Sequence, residues 1–275
     1  LMQRLGAELK KTPVIFGGIN NYSPDMHANL NATGVMEDVN LMGNILMIED
    51  LMPDAERITI VSDHSVTGRE VRTQIDTFIE QHPIYKGKIE HYVPDTYEAL
   101  LEQVASFDRK NSILFWVYYR DVNGWVSDTQ QWKKLNQVAS APLFVIHDLG
   151  LGYGAVGGLM KSGVLQGQET GDMLLSVLAQ PNQPLPSVVA GSSEIKLDYD
   201  ALVRWDLGAD DVDHSALFNK PETFFSQNQE ALKTFGIVFF MMSVVIIFLV
   251  YYLRQIKNSE VAARKSQLLL ASVFD

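Results

Sequence analysis

Cysteine is missing from all 275 residues, which excludes a disulfide framework and the usual structural zinc sites. Its absence does not fix a compartment. Basic charge is scarce: 22 Lys and Arg stand against 33 Asp and Glu, for a formal net charge of −11. That acidity argues against a nucleic-acid partner. No secretory signal opens the chain, because Leu1-Met2-Gln3-Arg4 lacks the basic start and apolar run one needs. No internal repeat or low-complexity tract is visible. The six histidines, His27, His64, His82, His91, His147 and His214, include no pair at metal-motif spacing. No G-x-S-x-G elbow occurs either. The expectation is therefore no metal, no cofactor and no catalytic set.

What is present in excess is one long apolar run. Thr234 to Leu253 passes twenty residues without a charge, between Lys233 and Arg254. At ~1.5 Å per residue a helix there spans about 30 Å, the hydrocarbon thickness of a bilayer. Tyr251 and Tyr252 stand at one end, where aromatic belts form. A buried core helix is the competing reading, but the core helix of a soluble protein rarely runs so long with no polar face. Beyond the run lie Arg254, Lys257, Arg264 and Lys265 against Glu260 and Asp275. Excess Lys and Arg marks the cytoplasmic flank, so residues 254–275 are predicted inside and the large N-terminal part outside. An exported domain needs a targeting segment, so further residues are expected before Leu1. The pattern breaks off at Phe274-Asp275, and a continuation is expected there too.

Residues 1–11 read as a short amphipathic helix. After them strands and helices alternate. Strands are predicted at Pro13–Phe16, Thr33–Met36, Arg57–Ser62, Lys88–Val93, Ile113–Tyr119 and Pro142–His147. Helices are predicted at Asp38–Met52, Thr67–Gln81, Thr96–Ser106 and Asp128–Ala139. This alternation implies an α/β fold with parallel sheets and helices on both faces. The pattern then loosens. A strand at Ala155–Met160, a helix at Ser162–Ala179, extended pieces at Ser187–Ala190 and Glu194–Leu197, and a helix at Tyr199–Trp205 follow. A last helix, Pro221–Lys233, leads into the apolar run.

Gly152, Gly154 and Gly157 formally match G-x-G-x-x-G after a strand. A dinucleotide site needs the last glycine to open a helix and an acidic residue ~20 positions on at a strand end. Here a second apolar segment follows, so a glycine-rich crossover is the favoured reading. Polar residues at strand C-termini are more informative, because ligands of open parallel sheets bind outside those ends. The candidates are Asn20 and Tyr22 after the first strand, and Asp63, Ser65 and Thr67 after the strand at 57–62. Tyr118, Tyr119 and Arg120 lie at the end of the strand at 113–119, and Asp148 follows the strand at 142–147. The tyrosines can stack on a ring-bearing ligand or simply pack. Arg120 can pair an anion. Backbone amides near Thr67 can bind a carboxylate or phosphate, or Asp63 and Thr67 can be ordinary helix caps.

Asn31-Ala32-Thr33-Gly34-Val35, then Pro53-Asp54-Ala55-Glu56-Arg57-Ile58-Thr59-Ile60, resemble segments of the ABC-transporter substrate-binding-protein-like family. Gly157-Gly158-Leu159 through Gly163, Gln166-Gly167 and Gly171 resemble its late strand–helix segment, and the likeness covers about residues 12–190. Asp198-Tyr199-Asp200 with Arg204-Trp205 is similar to a segment met where this domain is fused to a membrane helix in bacterial sensor kinases and diguanylate cyclases. The resemblance implies a two-lobed type I periplasmic-binding fold over 1–190, with ligand held between Rossmann-like lobes. The first lobe would comprise 1–36 and 151–190 and the second 37–150. A connector at 191–233, a membrane helix at 234–253 and a signalling linker at 254–275 would follow. The loop 63–67, the segment 118–121 and Asp148 would face the cleft.

Three functions are weighed on this basis. The first is a receptor of the bacterial inner membrane, non-enzymatic over this stretch. Its periplasmic domain would bind a small molecule, amino-acid-like compounds among the candidates, and it would signal as a homodimer through the lipid bilayer. The second is a membrane-tethered solute-binding protein of an ABC transporter. The third, an enzyme on a Rossmann-like scaffold, lacks a catalytic constellation. Ile256, Ala263 and Leu270, spaced by seven, offer a weak helix-pairing seam for the first.

Overall fold

The computed structural model describes residues 12–27, 30–124, 128–222 and 224–271; the helix predicted at 1–11 lies outside them. The chain forms two compact units, Leu1–Lys220 and Pro221–Asp275.

The first unit holds two sheets. Strands β1 (Val14–Asn20) and β2 (Ala32–Glu37) pair in parallel. The chain then passes through helix α1 (Leu41–Leu51) into a second sheet. There β3 (Arg57–Val61), β4 (Ile89–Tyr92), β5 (Asn111–Phe115), β6 (Leu143–Val145) and β7 (Gly157–Met160) follow in turn. The helices between them are α2 (Val66–Gln81), α3 (Tyr97–Ser106) and α4 (Thr129–Val138). Helix α5 (Gly163–Ala179) and the short strand β8 (Val189–Ala190) return to the first sheet, whose order is β1-β2-β8. The chain then crosses back to supply β9 (Glu194–Asp198), helix α6 (Tyr199–Trp205) and β10 (Leu217–Phe218). The larger sheet reads β10-β9-β7-β6-β5-β3-β4 and is parallel except where β9 runs against β7.

Both faces of the large sheet are covered, which is why its strands read as unbroken apolar runs. Side chains alternate across a strand. Ile58, Ile60, Leu114, Phe144 and Ile146 therefore pack on one side with Ile45 and Ile48 of α1 and Val71 and Ile75 of α2. Val61, Ile113, Phe115, Leu143 and Val145 pack on the other with Leu100 and Val104 of α3 and Trp132 and Leu135 of α4. Burying each such side chain fully stabilises by roughly 1.5–3 kcal/mol. Helix starts are set by side-chain caps: Asn40 Oδ1 accepts from the Gly43 amide (2.7 Å), Ser65 Oγ from Gly68 (3.1 Å) and Asp198 Oδ1 from Ala201 (3.0 Å).

Three crossings join the sheets: residues 38–40, 161–162 and 191–193. They redraw the lobes that resemblance suggested. Strand β7 pairs with β6 and β9, so residues 157–160 belong to the large sheet rather than to the first lobe. Only α5 and β8 return to the small one. The stretch expected to be a mere connector supplies β9 and β10. After α5 and β8 the chain returns, and the short piece at 194–198 pairs antiparallel along the whole of β7, from Gly157 opposite Leu197 to Met160 opposite Glu194. Gly157 opens this strand and not a helix, which removes the dinucleotide reading. A Cβ there would sit 2.0 Å from the Lys196 carbonyl oxygen, so the glycine is required by close strand approach.

The second unit is a short helix, α7 (Phe224–Gln227), and a long one, α8 (Gln229–Ala271). Within α8, residues 234–253 form a belt of exposed apolar side chains; Phe235 is 71% exposed and Phe248 68%. The helix is long and apolar enough to cross a membrane. It continues for another 18 positions beyond Leu253.

Candidate functional site: a cleft at the strand ends

A cleft of about 580 Å³ opens where the C-terminal ends of β1 and β2 meet the first turns of α2. Asn20, Asn21 and Tyr22 wall it from the end of β1, and Met36, Glu37 and Asp38 from the end of β2. On the other side stand Val66, Thr67, Glu70 and Gln74 of α2 and Trp116, which follows β5. The Tyr22 ring is fixed from behind. It stacks 5.7 Å from Phe16 and 5.6 Å from His27, and its hydroxyl lies 3.1 Å from His27 Nδ1. Asn21 adopts φ 50°, a left-handed conformation that asparagine tolerates. Its Nδ2 donates to Glu70 Oε2 at 3.1 Å, a bond from the small sheet's loop to α2.

The crossings carry charge, and Asp38 and Val39 of the first line the cleft. Lys161, buried in the second, donates from Nζ to the carbonyl oxygens of Gly191 (2.5 Å) and Ser192 (3.5 Å) in the third. The Glu169 carboxylate accepts from the Ser192 amide at 3.2 Å. His147 Nε2 lies 3.6 Å from Glu37 Oε1. Burial pushes the Glu37 carboxyl above its ordinary value, and the Lys161 ammonium opposes this. Burial lowers the His147 imidazole, with Asp148 opposing, and lowers Lys161 against the pull of Asp38, Glu37 and Glu169. Asn44, fully buried, staples α1 to β7: its Oδ1 accepts from the Leu159 amide and its Nδ2 donates to the Leu159 carbonyl.

Of the residues picked from sequence, Asn20, Tyr22 and Thr67 line the cleft. Asp63 is buried and clamps two loops: its carboxylate accepts from the amides of Ser65 (2.9 Å), Tyr119 (3.0 Å) and Arg120 (3.4 Å). Ser65, not Thr67, caps α2. Tyr118 packs in the core beside α3 and α4, and burial, then Asp121, drives its phenol far above the usual range. Tyr119 is 40% exposed with its ring 6.4 Å from that of His147; burial, then Glu37, pushes its phenol up to about 12. Tyr118, Tyr119 and His147 border a separate recess of about 20 Å³. Arg120 and Asp148 are exposed.

Glu37, Asp38, Glu70, Gln74 and Trp116 escaped the sequence reading. Glu37 and Asp38 follow the strand at 33–36, so the strand-end rule reaches them once it is applied to that strand. Glu70 and Gln74 share a helix face with Thr67 by their spacing of three and four. Among the described residues no grouping of three or more His, Asp or Glu is close enough to hold a metal ion.

With this geometry in hand, known proteins place the fold. No family model and no curated protein matches the sequence. Solved structures do match. One is the ABC domain in complex with L-Trp from Streptococcus pneumoniae, with 18% identity, 78% of this chain and 72% of that chain covered, and a TM-score of 0.54. A second is a substrate-binding protein with adhesive properties from Clostridium difficile in its ligand-free, open form, with 14% identity, 77% and 72% coverage, and a TM-score of 0.59. A third is a conserved domain protein from Vibrio cholerae, with 15% identity, 78% and 72% coverage, and a TM-score of 0.52. The chain has a substrate-binding-protein-like fold.

Proposed function

We propose that the chain is the extracytoplasmic small-molecule-binding part of a bacterial membrane receptor. The observation that carries this reading is the cleft itself. It lies between two sheets joined by three short crossings, at strand C-termini, with aromatic, amide and carboxylate groups converging on it. The fold shared with a substrate-binding protein and with an ABC domain in complex with L-Trp supports a small organic ligand. We assign the chain no reaction of its own. Ligand would draw the small sheet toward α2 about the crossings, and the change would pass to α8, acting in a homodimer.

A transport binding protein tethered by α8 is the second reading. What favours signalling over tethering is the length of α8. An anchor needs about twenty residues, and α8 continues as helix to Ala271, through the predicted seam positions 256, 263 and 270. The excess of Arg254, Lys257, Arg264 and Lys265 supports an orientation with the tail on the cytoplasmic side of the inner membrane.

The test is a thermal-shift panel of amino acids, amines, organic acids and nucleobases on the full chain in nanodiscs. At least one compound should raise Tm. A ligand at a hundred times its Kd stabilises by about 2.7 kcal/mol. Thr67→Trp, which fills the cleft from the helix surface, should abolish the shift. A shift that survives Thr67→Trp and Trp116→Ala places binding elsewhere. Labelling of Ser266→Cys from outside intact cells would overturn the orientation.

A further inference from the structure

The lining of the cleft sorts by charge. Its ionisable side chains, tyrosine aside, are Glu37, Asp38 and Glu70; no Lys, Arg or His is among the described residues that wall it. Glu37 and Asp38 stand at the end of β2, and Glu70 stands on α2, so carboxylates approach the gap from both sides. Basic groups lie behind the lining: His27 backs the Tyr22 ring, the Lys161 ammonium is engaged by the carbonyls of Gly191 and Ser192, and burial holds His147 toward its neutral form. Counting Lys161 still leaves the carboxylates in excess.

An anionic ligand group would therefore meet like charge. The start of α2 carries a carboxylate of the chain's own. Ser65 Oγ takes the Gly68 amide, and the buried Asp63 carboxylate takes the Ser65 amide, so a negative charge sits at that helix end. The remaining lining suits a cation. The braced ring of Tyr22 offers an aromatic surface that attracts ammonium groups, and the largely buried Trp116 borders the same space. Met26, Met36 and Val66 offer apolar contact for the rest of the molecule.

Resting on the reading of this cleft as the ligand site, we propose that it selects an organic cation: an amine on an aromatic or aliphatic body, with no carboxylate of its own. Such a ligand also supplies a reason for closure to depend on binding. Moving the small sheet toward α2 brings Asp38 and Glu37 nearer Glu70, and an ammonium between them removes the repulsion.

Titration calorimetry on the full chain in nanodiscs tests this with tryptamine, L-tryptophan and indole-3-acetate, which share a ring system and differ in charge. Tryptamine should bind at least tenfold tighter than L-tryptophan, and indole-3-acetate should give no heat. E70Q and D38N, both at solvent-accessible positions, should each weaken tryptamine at least fivefold while leaving the melting temperature unchanged. Added salt should weaken it as well. If L-tryptophan or indole-3-acetate binds as tightly as tryptamine, and Thr67→Trp abolishes that binding, the cation selectivity is overturned and the cleft remains the ligand site. If tryptamine binds and neither E70Q, D38N nor Thr67→Trp alters it, both fall. If none of the three binds at millimolar concentration the proposal is overturned, and the cleft reading is judged by the wider panel alone.

Discussion

The two sheets of the first unit are built very differently. The large sheet has helices on both faces and a continuous interior, with Ile58, Ile60, Ile113, Leu114, Leu143 and Phe144 all fully buried. The small sheet has three strands, and α5, the helix that packs on it, buries none of its residues. Leu175 and Leu178 of α5 are each 64% exposed. Apolar burial is the dominant stabilising term, so the large sheet is the rigid partner. The small one is held by few buried groups and by polar contacts at the crossings. A cleft between a rigid wall and a lightly held wall can close at low energetic cost.

The largest expected effect tests the rigid side. Phe144→Ala should destabilise the chain by about 3–5 kcal/mol in urea unfolding. Leu175→Ala on α5 should change it by no more than ~0.5 kcal/mol. Comparable losses at both positions would erase the contrast.

The contrast also explains what could be read from sequence. Runs such as Ile113 to Phe115 are apolar on both faces because both faces are covered, so most of the large sheet's strands and helices were legible within a residue or two, although α1 starts three residues later than expected and β10 was not foreseen. Strand β5 ends at Phe115, whereas its apolar run continues to Tyr119, because Asp63 takes the amides of Tyr119 and Arg120 and bends that segment into a loop. No local pattern announces a buried carboxylate partner 56 positions away. The same holds for lobe membership. That β7 and β9 pair antiparallel is a long-range fact, invisible in their composition. Of the nine residues that strand-end reasoning picked, three, Asn20, Tyr22 and Thr67, line the cleft. The same reasoning chose Tyr118, whose side chain turns into the core, because strand ends reveal position and not facing.

A smaller effect is expected at the crossings. Lys161→Met removes the donor to Gly191 and Ser192 and leaves Glu37 and Asp38 without their ammonium, so it should cost about 1–3 kcal/mol. A loss below ~0.5 kcal/mol would mean that the backbone alone holds the crossings.

The smallest effect concerns pH. The carboxyl of Glu37 is raised above its unfolded value of 4.5, chiefly by burial. The folded state therefore holds its proton more tightly than the unfolded chain. The stability this contributes is complete below pH 4.5 and is lost as pH rises through the raised pKa. Glu37→Gln cannot lose it, so the melting temperature of the variant relative to the parent should climb as pH goes from 4 to 7. A flat difference would place Glu37 in contact with solvent.

The central claim, that ligand moves the small sheet against the large one, is open to a direct distance measurement. The chain has no cysteine, so two can be introduced without background: Ser187→Cys, just before β8, and Asp76→Cys on the outer side of α2, both exposed positions. Electron–electron double resonance on the spin-labelled full chain in nanodiscs would compare the empty protein with the protein saturated by the compound that gives the largest thermal shift. The account predicts a shorter and narrower distance distribution with ligand, and a return to the empty distribution in Thr67→Trp. An unchanged distribution while calorimetry shows the site filled would contradict it.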